Sequence, residues 1–270
     1  MAKRSLELRA LFWRGVTLVS ARAGKTPQHP FHPISSTPYP NHPPPPPGRA
    51  PVAMVSSSDT TEKTYSKGAL QLMLAAERLF GEQGIDGVSL RQIVTAAGQA
   101  NSNAVQHSFG DKKGLIQSVY DMRAPIIDAG RKRRLEEAKD RNGNASVPQL
   151  LAAMYMPILE DLDEPARRSY ALFNSRMLQV ELKDHPFRLS KVPEPAAEEI
   201  FSRLKAHFAY LPDGVFLMRM RLATDLFLAG LEEHRLNQRL KRNPYPDATP
   251  FWNELLLALE ALLRVPYTAR

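Results

Sequence analysis

The sequence contains no cysteine. That removes disulfides, thiolate metal sites and cysteine nucleophiles, and it suits a reducing cytoplasm. No apolar run approaches the roughly 20 residues a membrane-spanning helix needs, so the expected setting is cytoplasmic, with no membrane partner. The chain shows no nucleophile elbow, no HExxH or paired ExxH ligand set and no phosphate-cradling glycine loop. An enzyme is therefore not expected, nor a cofactor or metal. Evenly spread charge is missing too. The net charge is +8, yet residues 1–60 hold seven Lys/Arg against two acidic residues, while the remaining 210 carry 29 against 26. Most of the chain is nearly balanced, and any basic patch on it is local.

Proline is in excess, and in one place: 11 of the 23 prolines lie between residues 27 and 51, with an unbroken run from Pro43 to Pro47. Proline fixes its own backbone, donates no hydrogen bond and restrains its predecessor. Residues 1–61 therefore read as a disordered extension, or as sequence upstream of a true start at Met54. A targeting segment is the alternative, since residues 8–21 are apolar and basic. Arg14 interrupts that run, however, and no clean cleavage site follows. His29, His32 and His42 are a loose chelating set or incidental to the tail.

From residue 62 the pattern is helical, and the fold class expected is all-α. A first helix spans about Ser66 to Gln83, with Leu70, Leu74, Leu79 and Phe80 inward, Glu77 and Arg78 outward, and Gly84 ending it. Ser89 is placed to cap a second helix, in which Leu90, Ile93, Val94 and Ala97 form one apolar stripe. Gly98 stops it. The next stretch, NSNAVQHSFGDKKGL, is short and polar. A helix capped by Asn101 and running from Ser102 to Phe109 presents Ser102, Asn103, Gln106 and His107 on one arc. Ala104, Val105, Ser108 and Phe109 lie on the other. Amides can pair bidentately with adenine in a major groove, and hydroxyl and imidazole reach bases or phosphates. Two short helices about a glycine turn, the second with an amide-rich outer face, describe a helix-turn-helix. Lys112 and Lys113 then occupy the first turn of a further helix, against its dipole. Phosphate contact accounts for them.

These residues resemble the DNA-binding domain of the TetR family of bacterial regulators. The likeness covers residues 67–122 and rests on LAAERLFGEQGIDGVSLRQIVTAAG followed by NSNAVQHSFGDKKGL, in the variant whose turn reads Gly-Gln-x-Asn. It implies a three-helix DNA-binding domain at 62–123, and a helical effector-binding and dimerisation domain at 124–270. Its partners would be double-stranded DNA carrying a palindromic operator, in the nucleoid, and a second copy of the chain. Ser89 and Arg91 would meet backbone or base edges. Asn101, Ser102, Asn103, Gln106 and His107 would line the recognition helix, with Lys112 on a phosphate. One departure stands out: where the family usually carries Tyr-His before Phe-Gly, this chain has His107 and Ser108.

Beyond Leu115 the helix should run to Pro125 and there kink or restart. The basic run Arg131–Arg134 reads as a solvated face with local ion pairs to Glu136 and Glu137; reaching DNA is its alternative. Helices are expected near 147–162, 165–183, 194–210, 213–240 and 250–264. The last two are apolar nearly all round. Leu226, Phe227, Leu231, Phe251, Trp252, Leu255, Leu259 and Leu262 are therefore assigned to a four-helix dimer interface. Among the middle helices, Met154, Tyr155, Tyr170, Phe173 and Met177 are soft or aromatic, while Asn174, Thr224 and Asp225 interrupt apolar faces. Together they are candidates for the pocket of a small hydrophobic effector. Plain core is the alternative for the apolar members, and an ion pair with Arg221 for Asp225.

Overall fold

A computed structural model describes residues 65–101, 103–179, 186–242 and 248–268. The expectations for residues 1–61, including Met54 and the three histidines, lie outside that set. Every regular element among the described residues is helical. In order they are α1 (Lys67–Gln83), α2 (Leu90–Ala96), α3 (Ala104–Phe109), α4 (Lys112–Ala138), α5 (Val147–Tyr155), α6 (Pro157–Glu160), α7 (Glu164–Met177), α8 (Pro186–Leu189), α9 (Pro195–His207), α10 (Asp213–Arg239) and α11 (Thr249–Arg264).

Two apolar clusters organise these helices. The first joins Leu72, Met73, Phe80, Ile93, Val94, Val105, Leu115 and Val119 of α1–α4 to Phe173 and Met177 of α7. The second gathers α5, α7, α9, α10 and α11 around Leu150, Leu151, Ile200, Phe216, Phe227 and Leu259. Each large apolar side chain fully buried in them stabilises the fold by about 1.5–3 kcal/mol. Helix α7 takes part in both clusters. It lies so close to α1 that a Cβ at Gly81 would stand 2.7 Å from Leu172 Cβ and 3.0 Å from the Phe173 nitrogen. Only glycine fits there.

The inward face of α1 differs from the expected one. Leu70 and Leu74 are exposed, whereas Leu72, Met73 and Ala76 are buried. Glu77, assigned to the outside, is wholly buried. Its carboxylate accepts from Arg123 Nε at 2.8 Å and Nη2 at 3.1 Å, and from the Ser169 hydroxyl. Three helices thus meet on one carboxylate.

Helix α4 does not stop at Pro125; it continues for 27 residues with the proline inside. An internal proline costs about 3 kcal/mol through a lost hydrogen bond and a clash. Tertiary anchors on both sides offset this. Arg123 is tied to Glu77, and the Asp128 carboxylate accepts from Ala196 N at 3.1 Å and Ala197 N at 2.8 Å, capping α9. The basic run is likewise tertiary rather than local. Arg131 bonds Glu194 at 3.0 Å and the Met154 carbonyl at 3.1 Å; Arg133 bonds Asp161, and Arg134 bonds Glu160.

The remaining helices fall near the expected spans, with two changes. Pro157 splits the helix expected at 147–162 into α5 and α6, and α7 ends at Met177. The set assigned to a dimer interface also divides. Phe227, Leu231, Leu255 and Leu259 are buried inside the protomer, Phe251, Trp252 and Leu262 are partly buried, and Leu226 is exposed. A helix read as apolar all round has its wettest apolar side chains on one line only.

Candidate nucleic-acid interface

Helices α2 and α3 form the expected pair, and hydrogen bonds at both ends of α2 fix them. At its start Ser89 Oγ accepts from Gln92 N at 3.3 Å, while Gln92 Oε1 accepts from Ser89 N at 2.8 Å, a reciprocal capping box. At its end Gly98 takes φ +68°, a backbone conformation that favours glycine. Gln99 N then reaches back to the Val94 carbonyl at 3.1 Å, closing the last turn. The Gln99 side chain donates to the Gly68 carbonyl at 2.8 Å, so the turn is pinned to the first residues of α1.

The recognition helix begins two residues later than expected. Asn101 does not cap it; its Oδ1 accepts from Asn103 N at 2.9 Å, and its carbonyl accepts from Ala104 N at 3.1 Å. This local turn competes with helix, as Asn side chains do. Asn103 becomes the cap residue but makes no side-chain capping bond, and it is exposed. Along α3, Ala104 and Val105 are buried against the first cluster, and Gln106, His107 and Ser108 are exposed. Ser108, placed on the docking side by the longer helix, therefore shares the outer face. Ser102 lies outside the described residues.

Arg91 is exposed on the first turn of α2. Lys112 is half-buried: its Nζ donates to the Val88 carbonyl at 2.6 Å and stands 5.6 Å from the centre of the Phe80 ring. A carbonyl partner explains how a lysine tolerates the positive end of α4, and it ties α4 to the entry of α2. Lys113 beside it is exposed. Asp111 caps α4 through Gly114 N at 2.7 Å. Residue reasoning missed Gln92, Gln99 and the Val88 tie. The first two were signalled by the Ser-x-x-Gln spacing and by the glutamine of the Gly-Gln-x-Asn turn; the third has no local signal. The surface formed by Arg91, Asn103, Gln106, His107, Ser108 and Lys113 carries amides, imidazole, hydroxyl and two cations. That donor and acceptor set can read base edges and touch phosphates.

The residues assigned to an effector pocket fall into separate neighbourhoods. Phe173 and Met177 pack in the first cluster under α1. Tyr155 stacks on Phe227 with centroids 4.9 Å apart, and its hydroxyl lies 3.0 Å from Thr224 Oγ1. Burial pushes the Tyr155 phenol up to about 12, and Tyr170 likewise. Asn174 donates to the Tyr170 carbonyl at 2.8 Å. Arg221 turns to the Leu178 carbonyl at 3.2 Å, and partial burial raises the Asp225 carboxyl against the pull of Arg221. Met154, Tyr155, Tyr170 and Thr224 remain one region, flanked by the buried Arg131–Glu194 pair. There Tyr120 donates to Glu194 at 2.9 Å.

Comparison with known proteins gives the following. Residues 72–119 match the sequence model of "Bacterial regulatory proteins, tetR family". No curated protein matches the chain. Among solved structures, a putative TetR family transcription regulator from Shewanella sp. PV-4 is 14% identical, with 73% of this chain and 96% of that one covered and a TM-score of 0.48. A putative TetR-family regulator from Rhodococcus sp. is 15% identical, with 73% and 100% covered and a TM-score of 0.45. The regulator PfmR from Thermus thermophilus is 14% identical, with 74% and 97% covered and a TM-score of 0.42. Among the described residues no helix is long and apolar enough to cross a membrane. The family's members are DNA-binding regulators rather than enzymes. The capped and glycine-turned α2–α3 pair lies within the matched span, so in residues 72–119 this chain is similar to the tetR family of bacterial regulatory proteins.

Proposed function

We propose that this regulator is a homodimeric repressor that holds a palindromic operator in the cytoplasm and releases it when a small apolar molecule enters the body of the protomer. The domain division expected from the sequence serves this reading: residues 62–123 carry the DNA contacts, and residues 124–270 carry pairing and effector binding. The observation that carries it is the recognition helix, docked through Ala104 and Val105 with Gln106, His107 and Ser108 left outside. Pairing is supported by a line of apolar side chains on the outside of α10, where Met218, Leu222, Leu226, Leu236 and Leu240 are each about 40–50% exposed. Two copies would set two recognition helices on successive turns of one groove face. An effector acts only if it binds the DNA-free arrangement more tightly. The Tyr155–Thr224 region is the place proposed for it.

Selection of DNA sequences on the full chain, followed by binding across a salt series, tests this reading. A palindrome should be enriched, and its affinity should fall steeply with salt. Gln106→Ala should cost about 1–3 kcal/mol on the selected site and relax the preference at one position in each half. Lys112→Met should weaken all sequences alike, because it frees the Val88 carbonyl and loosens the seat of α2. It should also lower the melting temperature, which a phosphate contact alone would leave unchanged. Absence of any enriched sequence would sink the proposal.

A further inference from the structure

The corner where α7, α10 and α11 meet holds two buried nitrogens with no hydrogen-bond partner. His234, near the end of α10, is only 8% exposed, and its Nδ1 is unpaired. Its ring lies against Trp252 and Phe251, with centroids 4.7 and 5.0 Å away. From α7, Arg167 donates through Nη2 to the carbonyls of Leu159 and Leu162, while its Nε is buried with no acceptor. No described carboxylate forms an ion pair with it; Asp163 and Glu164, whose charges it feels, are exposed. Burial and the Arg167 charge both hold His234 below its ordinary titration range, so the corner is already short of negative charge.

A third feature points the same way. Helix α11 starts here, with Ala248 as its cap residue and no side-chain cap bond, and Phe251 and Trp252 are in its first turns. The positive end of a 16-residue helix therefore sits beside the unpaired imidazole. Phe251 and Trp252 are only partly buried. The Arg167 Nε and the His234 Nδ1 lack the same thing, an anionic acceptor. The two rings beside them favour a flat apolar body.

We propose that this corner binds a small aromatic carboxylate. Its carboxylate accepts from Arg167 Nε and His234 Nδ1, and its ring packs on Phe251 and Trp252. Hydrogen bonds from a guanidinium to a carboxylate are charge-assisted and so stronger than neutral ones, and aromatic pairs add to the contact. In the effector region at Tyr155 the guanidinium of Arg131 is already paired with Glu194, so this site is separate from it and does not depend on the DNA-binding reading.

Trp252 is one of two tryptophans, and Trp13→Phe in the full chain leaves it as the only strong emitter. This protein is titrated with sodium benzoate, with benzyl alcohol and with sodium chloride. Benzoate should change Trp252 emission saturably, benzyl alcohol should bind about tenfold more weakly or worse, and chloride should do nothing, as expected for a lost charge-assisted bond. His234→Phe keeps a ring and removes the nitrogens; it should weaken benzoate by about tenfold while the circular-dichroism melt still shows a folded protein. Arg167→Gln should do the same. Should it fail to fold, the ligand series and His234→Phe still decide. The proposal is overturned if benzoate gives no saturable change, if benzyl alcohol matches it, or if His234→Phe binds benzoate unaltered.

Discussion

Glu77→Ala is expected to lower the unfolding free energy by roughly 3–5 kcal/mol, the cost of stripping one partner from a buried ion pair. Glu77 is completely buried, and Arg123, its bidentate partner, is 8% exposed. Removing the carboxylate leaves a guanidinium on α4 without counter-charge and a Ser169 hydroxyl on α7 without its acceptor. Small domains are stable by only about 5–15 kcal/mol, so the loss is a large share of the total. Arg123→Ala should cost a similar amount. The double change Glu77→Met with Arg123→Met should recover most of it, because apolar side chains of similar volume often replace a buried pair without loss. Urea unfolding followed by circular dichroism gives the four values. A single-variant effect under about 1 kcal/mol would show that water reaches the pair and that it behaves as a surface contact.

This cluster also shows where sequence reading stops. The helical period of α1 is plain in the sequence, but it fits two apolar stripes, one through Leu70 and Leu74 and one through Leu72, Met73 and Ala76. What tips the choice is Arg123, 46 residues away, which turns a glutamate inward. No local pattern carries that information. Pro125 fails for the same reason: its penalty is local and its compensation tertiary. The candidate face on α2 and α3 is far more legible, since caps and turns are local chemistry. Ser89 and Gly98 lie where their residue types demand. Only the start of α3 slipped, because Asn101 spends its side chain on a turn. Apolar all-round helices mislead in another way. Composition cannot separate Phe227, which packs on Tyr155, from Leu226, which faces out.

The packing of α1 on α7 bears on how a signal would travel. Glu77 bonds Ser169, and Arg176 Nε approaches the Gly81 carbonyl at 3.3 Å. With Gly81 allowing backbone contact, α1 and α7 are joined through much of their length. Interiors transmit displacement because they are close-packed. Gln99 and Gly68 tie the first residues of α1 to the turn between α2 and α3.

Leu222→Arg combined with Leu226→Arg is expected to convert the protein to a monomer and to weaken operator binding by about 10²–10⁴-fold, the usual worth of a second tethered site. Both side chains are about 40% exposed on α10. Met218, Leu222 and Leu226 succeed one another at intervals of four, and Ala229, Leu236 and Leu240 continue the same exposed line at spacings that fit one helix face. On α11, Leu257, Ala258 and Ala261 are exposed in turn, as is Val265 just past its end. Arginine at these positions has solvent to enter in the isolated protomer, so folding should be little affected. Across a two-fold interface both substitutions occur twice, and four added cations in an apolar seam cannot be desolvated without cost. Ile126→Arg, at an equally exposed apolar position on α4, serves as the control and should leave assembly unchanged. Sedimentation equilibrium reads the mass, and a salt-matched titration of the selected DNA reads the affinity. If the double variant remains a dimer with undiminished DNA binding, the outer line of α10 is not the pairing surface. If it becomes monomeric yet keeps its affinity, a single recognition helix suffices and the palindrome is not required.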